Sequence, residues 1–394
     1  MKYIKIIFLE PIIIITFVPS ILFLLIMILF KDIFPVKIGF LHSNRLGHFA
    51  ANTELYILKK KKFKIKSLDL FYLGRKEISN MYLKKLWEKE LNILPYSLLR
   101  ALDLIIRSSP LKKIFSCNYI SNTDRDLHSL YENYSPTISI SKNDKKKLLQ
   151  KFNLKDDDKI VCVNVRDGTY LKTIYDPKYH NLNHHNYRDC KIENFKETIN
   201  YLLDLNYKVF RVGVKKENFL DINHKNYFDR SYTLNREDYI DVLLAENCQF
   251  CISTGSGFDA LPRIFRKPIL FVNLLPIINY HSFYKKDLTI CKHLYDSKKL
   301  SIQDIFYRRF YNGLDTDFYL KNSLQVVENS SKEILIVTKE MIARLNNDFI
   351  LTKDNLDLQK LIKNKIQNLS KDKFKHGKLL SDFGEDYLRK NFYD

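Results

Sequence analysis

The chain has 394 residues, of which 45% are hydrophobic, and its formal net charge is +20. This length allows two to three domains of about 100–200 residues with large cores, and the composition excludes a disordered or fibrous chain. With 10 glycines and 10 prolines, the chain is also not collagen-like or linker-like. The positive surplus favours an anionic partner, either nucleic acid, membrane lipid or a phosphorylated substrate. A lysine-rich composition inherited from an AT-rich genome is the alternative explanation.

The first element along the chain is an apolar segment, Pro11–Phe30, that contains no charged residue. At about 1.5 Å per residue a helix of this length spans a hydrocarbon core of about 30 Å. Lysines on its C-terminal side, among them the run Lys59–Lys62, predict a body on the cytoplasmic face of a bacterial inner membrane. Pro19 interrupts the segment, so a re-entrant or in-plane helix is the alternative. Residues 1–35 are therefore predicted to be a membrane anchor.

The next elements predict a Rossmann-like lobe over residues 36–154. Val36–Leu41 has the pattern of a short buried strand, a glycine-containing loop follows, and Ala50–Leu58 has the pattern of a helix. Leu68–Leu73 predicts a second strand. Strand, glycine loop and helix in this order are typical of the opening of a nucleotide-binding α/β unit.

A second α/β lobe is predicted over residues 155–345, followed by a helical tail over 346–394. Strands alternate here with helices, which indicates a mostly parallel, doubly wound sheet. The six cysteines are scattered and do not form a disulfide framework. The pair Cys248 and Cys251 adjoins an apolar run, so a buried strand is favoured over a zinc or redox site. The predicted strands are Ile160–Val165, Lys208–Val212, Gln249–Ser253 and Pro268–Asn273.

The first site candidate is the loop that contains Arg45, Gly47 and His48. It follows a strand end, where open α/β sheets place their ligands. Gly47 permits close approach of the backbone, and the following helix N-terminus favours anions. His48 is a candidate general base, with Glu54 as the second choice. A helix-capping or packed histidine is the alternative for His48.

The second candidate follows the strand Ile160–Val165 and contains Arg166, Asp167, Gly168 and Tyr170. An arginine at the carboxyl end of a strand can hold a diphosphate with two parallel hydrogen bonds. The alternative for Arg166 is a salt bridge to Asp167 or to a neighbour.

The third candidate is the loop Ser253–Asp259, with two of the ten glycines. Its members are Ser253, Thr254, Gly255, Ser256, Gly257 and Asp259. A strand, a Ser/Gly loop and a helix N-terminus can form a phosphate cradle from backbone N–H groups and hydroxyls. A simple tight turn is the alternative. The loop matches neither the Walker A motif nor the GxGxxG fingerprint, which removes the main support for an ordinary kinase, ATPase or dinucleotide-binding protein.

Histidines 180, 184 and 185 also cluster in a polar loop. Their spacing fits no standard ligand motif, and we predict no metal site.

Taken in order, these motifs resemble those of a family of bacterial surface-polysaccharide glycosyltransferases. The resemblance extends from about residue 36 to the C-terminus. It is carried by the segments Val36–Glu54, which includes Asn52, Val163–Tyr170, Tyr187–Asp189, Val209–Gly213, Phe250–Asp259, Lys267–Asn273 and Ser381–Asn391.

This resemblance implies a GT-B-like fold, in which two Rossmann-like lobes face each other across a cleft. It implies a nucleotide-sugar donor held by the C-terminal lobe and no catalytic metal, with no cofactor beyond the sugar nucleotide. Arg45, Gly47 and Asn52 would then lie on the acceptor side. The Arg166 motif also resembles the strand end of fucosyltransferase-like enzymes, although Asn164 replaces their histidine and Asp167–Gly168 reverses their Gly-Asp order.

The sequence therefore predicts a membrane-associated glycosyltransferase. Its partners would be a nucleotide-sugar donor, a surface-polysaccharide, lipopolysaccharide or lipid-linked acceptor, and anionic membrane lipid, but not nucleic acid. Two alternatives stay open. One is a nucleotide-sugar epimerase or hydrolase on the same fold, and the other is a non-catalytic, membrane-tethered protein that binds polyanions.

Overall fold

The computed structural model describes residues 11–75, 77–117, 125–169, 182–213, 218–231, 237–369 and 376–393. The chain divides into two compact units. Residues 1–124 and 136–139 form the N-terminal unit, and residues 125–135 and 140–394 form the C-terminal unit. The boundary predicted between residues 154 and 155 lies inside the C-terminal unit.

The N-terminal unit contains a small parallel sheet of three strands. The strands are β1 (Val36–Leu41), β2 (Leu68–Leu73) and β3 (Asn92–Ile93). They lie in the order β1-β2-β3, and Val36 lies opposite Leu68. The predicted strands β1 and β2 are confirmed with the expected bounds. The helices are α1 (Pro11–Leu29), α2 (Leu46–Lys62), α3 (Met81–Trp87), α4 (Tyr96–Arg107) and α5 (Lys112–Phe115).

Helix α1 packs lengthwise against the N-terminal unit through a narrow buried stripe. Ile13, near its start, packs with Ala101 and Leu104 of α4. Leu24 and Met27, near its end, belong to the core cluster that also contains Val36 of β1, and the two helices share many contacts. Among the helices of the described residues, none combines the length and apolarity that crossing a membrane requires. The expectation of a membrane-spanning helix is therefore not supported.

The C-terminal unit is built around a larger sheet, and its described residues form the following elements. The strands are β4 (Ile160–Asn164), β5 (Lys208–Arg211), β6 (Tyr227–Asp229), β7 (Cys248–Ser253), β8 (Ile269–Leu274), β9 (Leu288–Cys291), β10 (His293–Tyr295), β11 (Gln325–Val327) and β12 (Asp382–Phe383). The α-helices are α6 (Leu130–Asn133), α7 (Lys142–Lys151), α8 (Lys196–Asp204), α9 (Asp238–Asn247), α10 (Ala260–Ile264), α11 (Ile302–Tyr307), α12 (Thr316–Lys321), α13 (Ser331–Leu345), α14 (Lys353–Leu369) and α15 (Glu385–Asn391). The 3-10 helices are Leu182–Arg188, Ile192–Phe195, Gly257–Asp259, Ile277–Asn279 and Phe310–Asn312.

Seven parallel strands form the sheet of the C-terminal unit in the order β12-β9-β8-β7-β4-β5-β6. Strands β4 and β8 are buried along their whole length. Such continuous apolar strands are typical of parallel sheets covered on both faces. The prediction of a parallel α/β architecture is thereby confirmed for this unit. Cys248 and Cys251 lie buried in β7 as predicted, and all six cysteines are buried and free.

Candidate functional site

The strand order of the large sheet reverses at the boundary between β4 and β7. From β4 the chain adds β5 and β6 on one side, whereas β7, β8 and β9 extend the sheet on the other. In open α/β sheets, ligands bind outside the carboxyl ends of the strands at such a switch point. Asn164, the last residue of β4, lies opposite Ser253, the last residue of β7. The second and third candidate loops therefore start side by side.

Hydrogen bonds join these two loops directly. The amide of Thr254 donates to the carbonyl oxygen of Asn164 over 3.2 Å. The Thr254 hydroxyl accepts from the amide of Arg166 over 2.8 Å. The side-chain amide of Asn164 donates to the Ser256 hydroxyl. The structure thus brings together two motifs that lie almost 90 residues apart in sequence, and it uses Asn164 and Thr254 to hold them in place.

The Ser253–Asp259 loop is held by its own side chains. Gly255 has a φ of +78°, a left-handed conformation that glycine adopts without steric cost. The Asp259 carboxylate accepts from the Ser256 amide over 2.8 Å and from the Ser253 hydroxyl over 3.0 Å. The Gly255 amide donates to the Ser253 hydroxyl oxygen over 3.1 Å. The amides of Gly255 and Ser256, which are predicted to bind a phosphate, thus donate within the loop. The positive charge near this loop comes from neighbouring side chains.

Arg166 is the first of these cations, and it is largely enclosed. Its side chain is 12% exposed, and its Nε lies 3.1 Å from Oδ1 of Asp189. Within the described residues, Nε and Nη2 of Arg166 are buried and make no hydrogen bond, since the ion pair lacks the required geometry. Burial, followed by the charge of Arg188, lowers the pKa of Arg166. Gly168 lies against the same carboxylate, because a Cβ there would come within 3.0 Å of Oδ2 of Asp189.

Two further cations complete the cluster. Nη2 of Arg188 donates to the carbonyl oxygen of Gly255 in the neighbouring loop. Lys292, which directly follows β9 and is 3% exposed, donates from Nζ to the carbonyl oxygen of Asp189 over 2.6 Å. Arg166 and Lys292 thus contact Asp189, and Arg188 contacts the neighbouring Ser253–Asp259 loop. We name these three residues the cationic cluster. A concentration of fixed positive charge in a sheltered place is suited to binding a polyanion such as a diphosphate.

His185 lies beside the cationic cluster and remains neutral. Burial and the charge of Arg188, with smaller contributions from His184 and Arg166, lower the pKa of His185 to about 4. At neutral pH this imidazole therefore adds no charge to the site, and the two arginines and the lysine supply it.

In the N-terminal unit, the strand and the helix predicted around Arg45 are present, but the helix extends further than the predicted Ala50–Leu58, so Gly47 and His48 lie in the helix and not in a loop. Helix α2 starts at Leu46, so Arg45 is its N-cap residue and Gly47 lies in its first turn. His48 is half-buried, and its Nδ1 lies 3.4 Å from Nδ2 of Asn52, one helical turn later. His48 and Asn52 therefore form a pair on one side of the helix.

Glu54 has a different environment from His48. It is fully buried, and its carboxylate accepts from both the amide and the hydroxyl of Thr137. The carboxylate thus connects α2 with the segment 136–139 of the same unit. This arrangement favours a structural role for Glu54.

Some of the sequence predictions fall on residues for which no structure is described. Tyr170, which was expected to bind the donor, belongs to the stretch 170–181, as does His180. Across the described residues, no group of three or more His, Cys, Asp or Glu side chains could hold a metal ion. Asp167 is described, and its Oδ1 accepts from the amide of Thr169 over 3.2 Å, which stabilises the turn after Arg166.

Three residues of the site, Arg188, Asp189 and Lys292, are not among those predicted from the sequence. A signal was present for the first two, because they belong to the ordered motif Tyr187–Asp189. Lys292 is the charged residue directly after the apolar strand Leu288–Cys291, the same strand-end position that singled out Arg166. Only the sheet order shows that the end of β9 lies near the same loops.

These features define an α/β protein with a candidate anion-binding site at a topological switch point. No protein-family model matches the chain, and no curated protein matches it. Among solved structures, the chain is similar to ADP-heptose lipopolysaccharide heptosyltransferase II of E. coli, with 13% identity and a TM-score of 0.39 over 64% of this chain and 90% of that one.

The chain is also similar to a family 9 glycosyl transferase from Veillonella parvula, with 12% identity and a TM-score of 0.47 over 78% of this chain and 97% of the other. A third similar structure is the iron-containing dodecameric glycosyltransferase TibC from enterotoxigenic E. coli, with 14% identity and a TM-score of 0.31 over 61% of each chain. These likenesses are distant.

Proposed function

We propose that this protein is a glycosyltransferase that uses a nucleotide-sugar donor. The observation that carries the proposal is the cationic cluster, which lies against two hydrogen-bonded loops at the switch point of the large sheet. Two buried nitrogen atoms of Arg166, Nε and Nη2, make no hydrogen bond within the described part of the chain, and they match a ligand with several anionic oxygens. The ordered motifs that resemble surface-polysaccharide glycosyltransferases support the same reaction class, with an envelope glycan or a lipid-linked glycan as acceptor.

The proposed reaction is a displacement at the anomeric carbon of the donor sugar. The acceptor oxygen forms the new bond to that carbon, the bond to the diphosphate oxygen breaks, and its electron pair leaves with the diphosphate. Negative charge grows on the leaving group, and preorganised cations stabilise such charge in a sheltered site. Arg166 and Arg188 take this role, while Lys292 positions Asp189 and adds positive charge.

The proposed base for the acceptor hydroxyl is His48 of the N-terminal unit. In this role Nε2 accepts the proton, which requires Nδ1 to carry a hydrogen. The Asn52 side chain lies within reach of Nδ1, and its oxygen can accept that hydrogen once the amide is turned over. Asn52 would then be a positioning residue for His48.

Replacement of Arg166 by alanine tests the donor site. Removal of one charge-stabilising donor lowers turnover by about 100- to 1,000-fold in comparable sites, and we expect a loss of this size for Arg166→Ala. The measurement is sugar transfer to a lipid-linked or glycan acceptor, with nucleotide-sugar binding measured by calorimetry. Arg389→Ala is the matched control, because the Arg389 side chain is 70% exposed and pairs with Asp386 on its own helix. Near-normal turnover of folded Arg166→Ala would contradict the proposed function.

Two further measurements separate the proposal from its alternatives. Incubation with a labelled nucleotide sugar alone should give no product, whereas an epimerase or hydrolase would convert it without an acceptor. A thermal-shift screen should show stabilisation by nucleoside diphosphates and their sugars, because a ligand that binds the folded state raises its apparent stability. Steeply salt-dependent binding of nucleic acid without any nucleotide-sugar binding would instead indicate a polyanion-binding protein.

A further inference from the structure

Helix α1 presents a continuous apolar face that the N-terminal unit leaves uncovered. Its buried stripe is narrow, with Ile13, Ser20, Leu24 and Met27 all at most 6% exposed. The residues on the opposite side recur at intervals of three, four and seven, which places them on one face of the helix. We call them the outer face. They are Ile15, Val18, Leu22, Leu25, Ile26 and Leu29, and each is between 54% and 76% exposed.

The outer face continues beyond the end of the helix. Ile33 is 81% exposed and Phe34 is 57% exposed in the turn that leads to β1. Between Pro11 and Phe30 the chain carries no charge, and the Ser20 hydroxyl donates to the carbonyl oxygen of Thr16 inside the helix. An exposed apolar surface of this extent on one element marks an interaction site.

A basic segment lies at the same edge of the small sheet. Residues 59–66 contain six lysines and no acidic residue. They end just before β2, whose first residue, Leu68, donates to the carbonyl oxygen of Pro35 over 2.9 Å. Pro35 follows the apolar turn after α1, so the ends of the two segments are neighbours. Lys61, Lys64 and Lys66 are exposed there, and Phe63 between them is 50% exposed.

We infer that the outer face of α1 and this basic segment dock the N-terminal unit onto an anionic lipid surface, with α1 lying in the plane of the membrane. An apolar helix face beside lysines matches the acyl boundary and the anionic headgroups of a bilayer at the same time. A second copy of this chain is disfavoured as the occupant, because it would bring two lysine-rich segments of a chain with net charge +20 together. The lengthwise packing of α1 on α4 leaves the outer face directed away from the unit.

The inference goes beyond the proposed reaction, and its test needs no enzymatic activity. The full chain is sedimented with vesicles of phosphatidylcholine alone or of phosphatidylcholine with phosphatidylglycerol. We expect the unchanged protein to bind the anionic vesicles. Leu22→Glu should lower the fraction of protein bound to these vesicles by at least about ten-fold. Replacement of Lys61, Lys64 and Lys66 by glutamine should lower the bound fraction less, and this decrease should depend on salt. Ile350→Glu is the matched control, because Ile350 is an 88% exposed apolar residue of the other unit.

The folded state of each variant is verified by its thermal unfolding, and Ile15→Glu serves as a second variant if Leu22→Glu fails to fold. Equal binding of Leu22→Glu and the unchanged protein would overturn the inference. A chain that ignores anionic vesicles but forms a dimer in solution, and loses that dimer in Leu22→Glu, would overturn it in favour of a second copy as the occupant.

Discussion

In the C-terminal unit the candidate residues lie on loops that follow different strands and hydrogen-bond to one another, whereas in the N-terminal unit they follow one another along a single loop and helix. Arg166 and Ser256 occupy positions fixed by contacts between two loops. His48 and Glu54 share one helix, yet one is half-buried beside Asn52 and the other is fully buried against Thr137. Residues close in sequence therefore have different surroundings here, whereas strands that are neighbours in the sheet bring their loops into contact.

Separate replacement of His48 and Glu54 tests the difference between their environments most directly. Loss of a general base lowers turnover by about 100- to 10,000-fold, and we expect this for His48→Ala without a change in thermal unfolding. Glu54→Gln should instead destabilise the N-terminal unit by about 1–3 kcal/mol, because glutamine keeps only one of the two oxygens that accept from Thr137 and leaves a buried polar group without its partner. Transfer assays and thermal unfolding of both variants distinguish these effects. A stable but inactive Glu54→Gln protein would support a catalytic role for Glu54 instead of a structural one.

Acid should weaken the C-terminal unit through His376. This histidine is buried, its Nε2 donates to the carbonyl oxygen of Ile278 over 2.9 Å, and burial, followed by the charge of Arg125, lowers its pKa to about 4. An unfolded histidine titrates near 6.5. The unfolded state therefore takes up the proton first, and the free energy of unfolding falls by at most about 3 kcal/mol as the pH decreases from about 6.5 to about 4.

Chemical unfolding at pH 7 and at pH 4.5 measures this effect for the unchanged protein and for His376→Gln. The variant lacks the titrating group, so its stability should change less between the two pH values. Identical pH profiles would show that His376 does not contribute.

The smallest effect is expected from a pair of glycines, one in each unit. Gly255→Ala forces a side chain into a left-handed conformation and should cost about 1–2 kcal/mol of stability, with weaker donor binding because the Gly255 carbonyl contacts Arg188. Gly74→Ala is the control, since its new Cβ would only meet the Phe40 ring at 3.5 Å. Unfolding and calorimetry should leave Gly74→Ala unchanged, and an equally mild Gly255→Ala would contradict a rigid loop.

Much of the fold was predictable from the sequence. Apolar runs such as Val36–Leu41 and Ile160–Asn164 identify buried parallel strands, because both faces of such strands are covered. Polar or glycine residues that follow them locate candidate loops. The switch point was not predictable, since strand order depends on which crossovers pack against which face.

The candidate site was predictable only in part, for the same reason. Arg166 and Ser253–Asp259 were found from their strand-end positions, but Lys292 enters the site only because β9 lies on the same side of β4 as β7. The local pattern around Glu54 also gave no sign of its partner, as Thr137 is 83 residues away in sequence. Long-range pairings of this kind leave no periodic trace in the chain.

The narrow buried stripe of α1 has a consequence for how the N-terminal unit folds. In sequence, the first 35 residues have the character of a detachable anchor. In the structure, Leu24 and Met27 complete a core cluster that also contains Leu99 and Leu102 of α4. A chain that began at residue 36 would leave that side of α4 in contact with water, so the buried stripe of α1 is part of the unit's own hydrophobic interior.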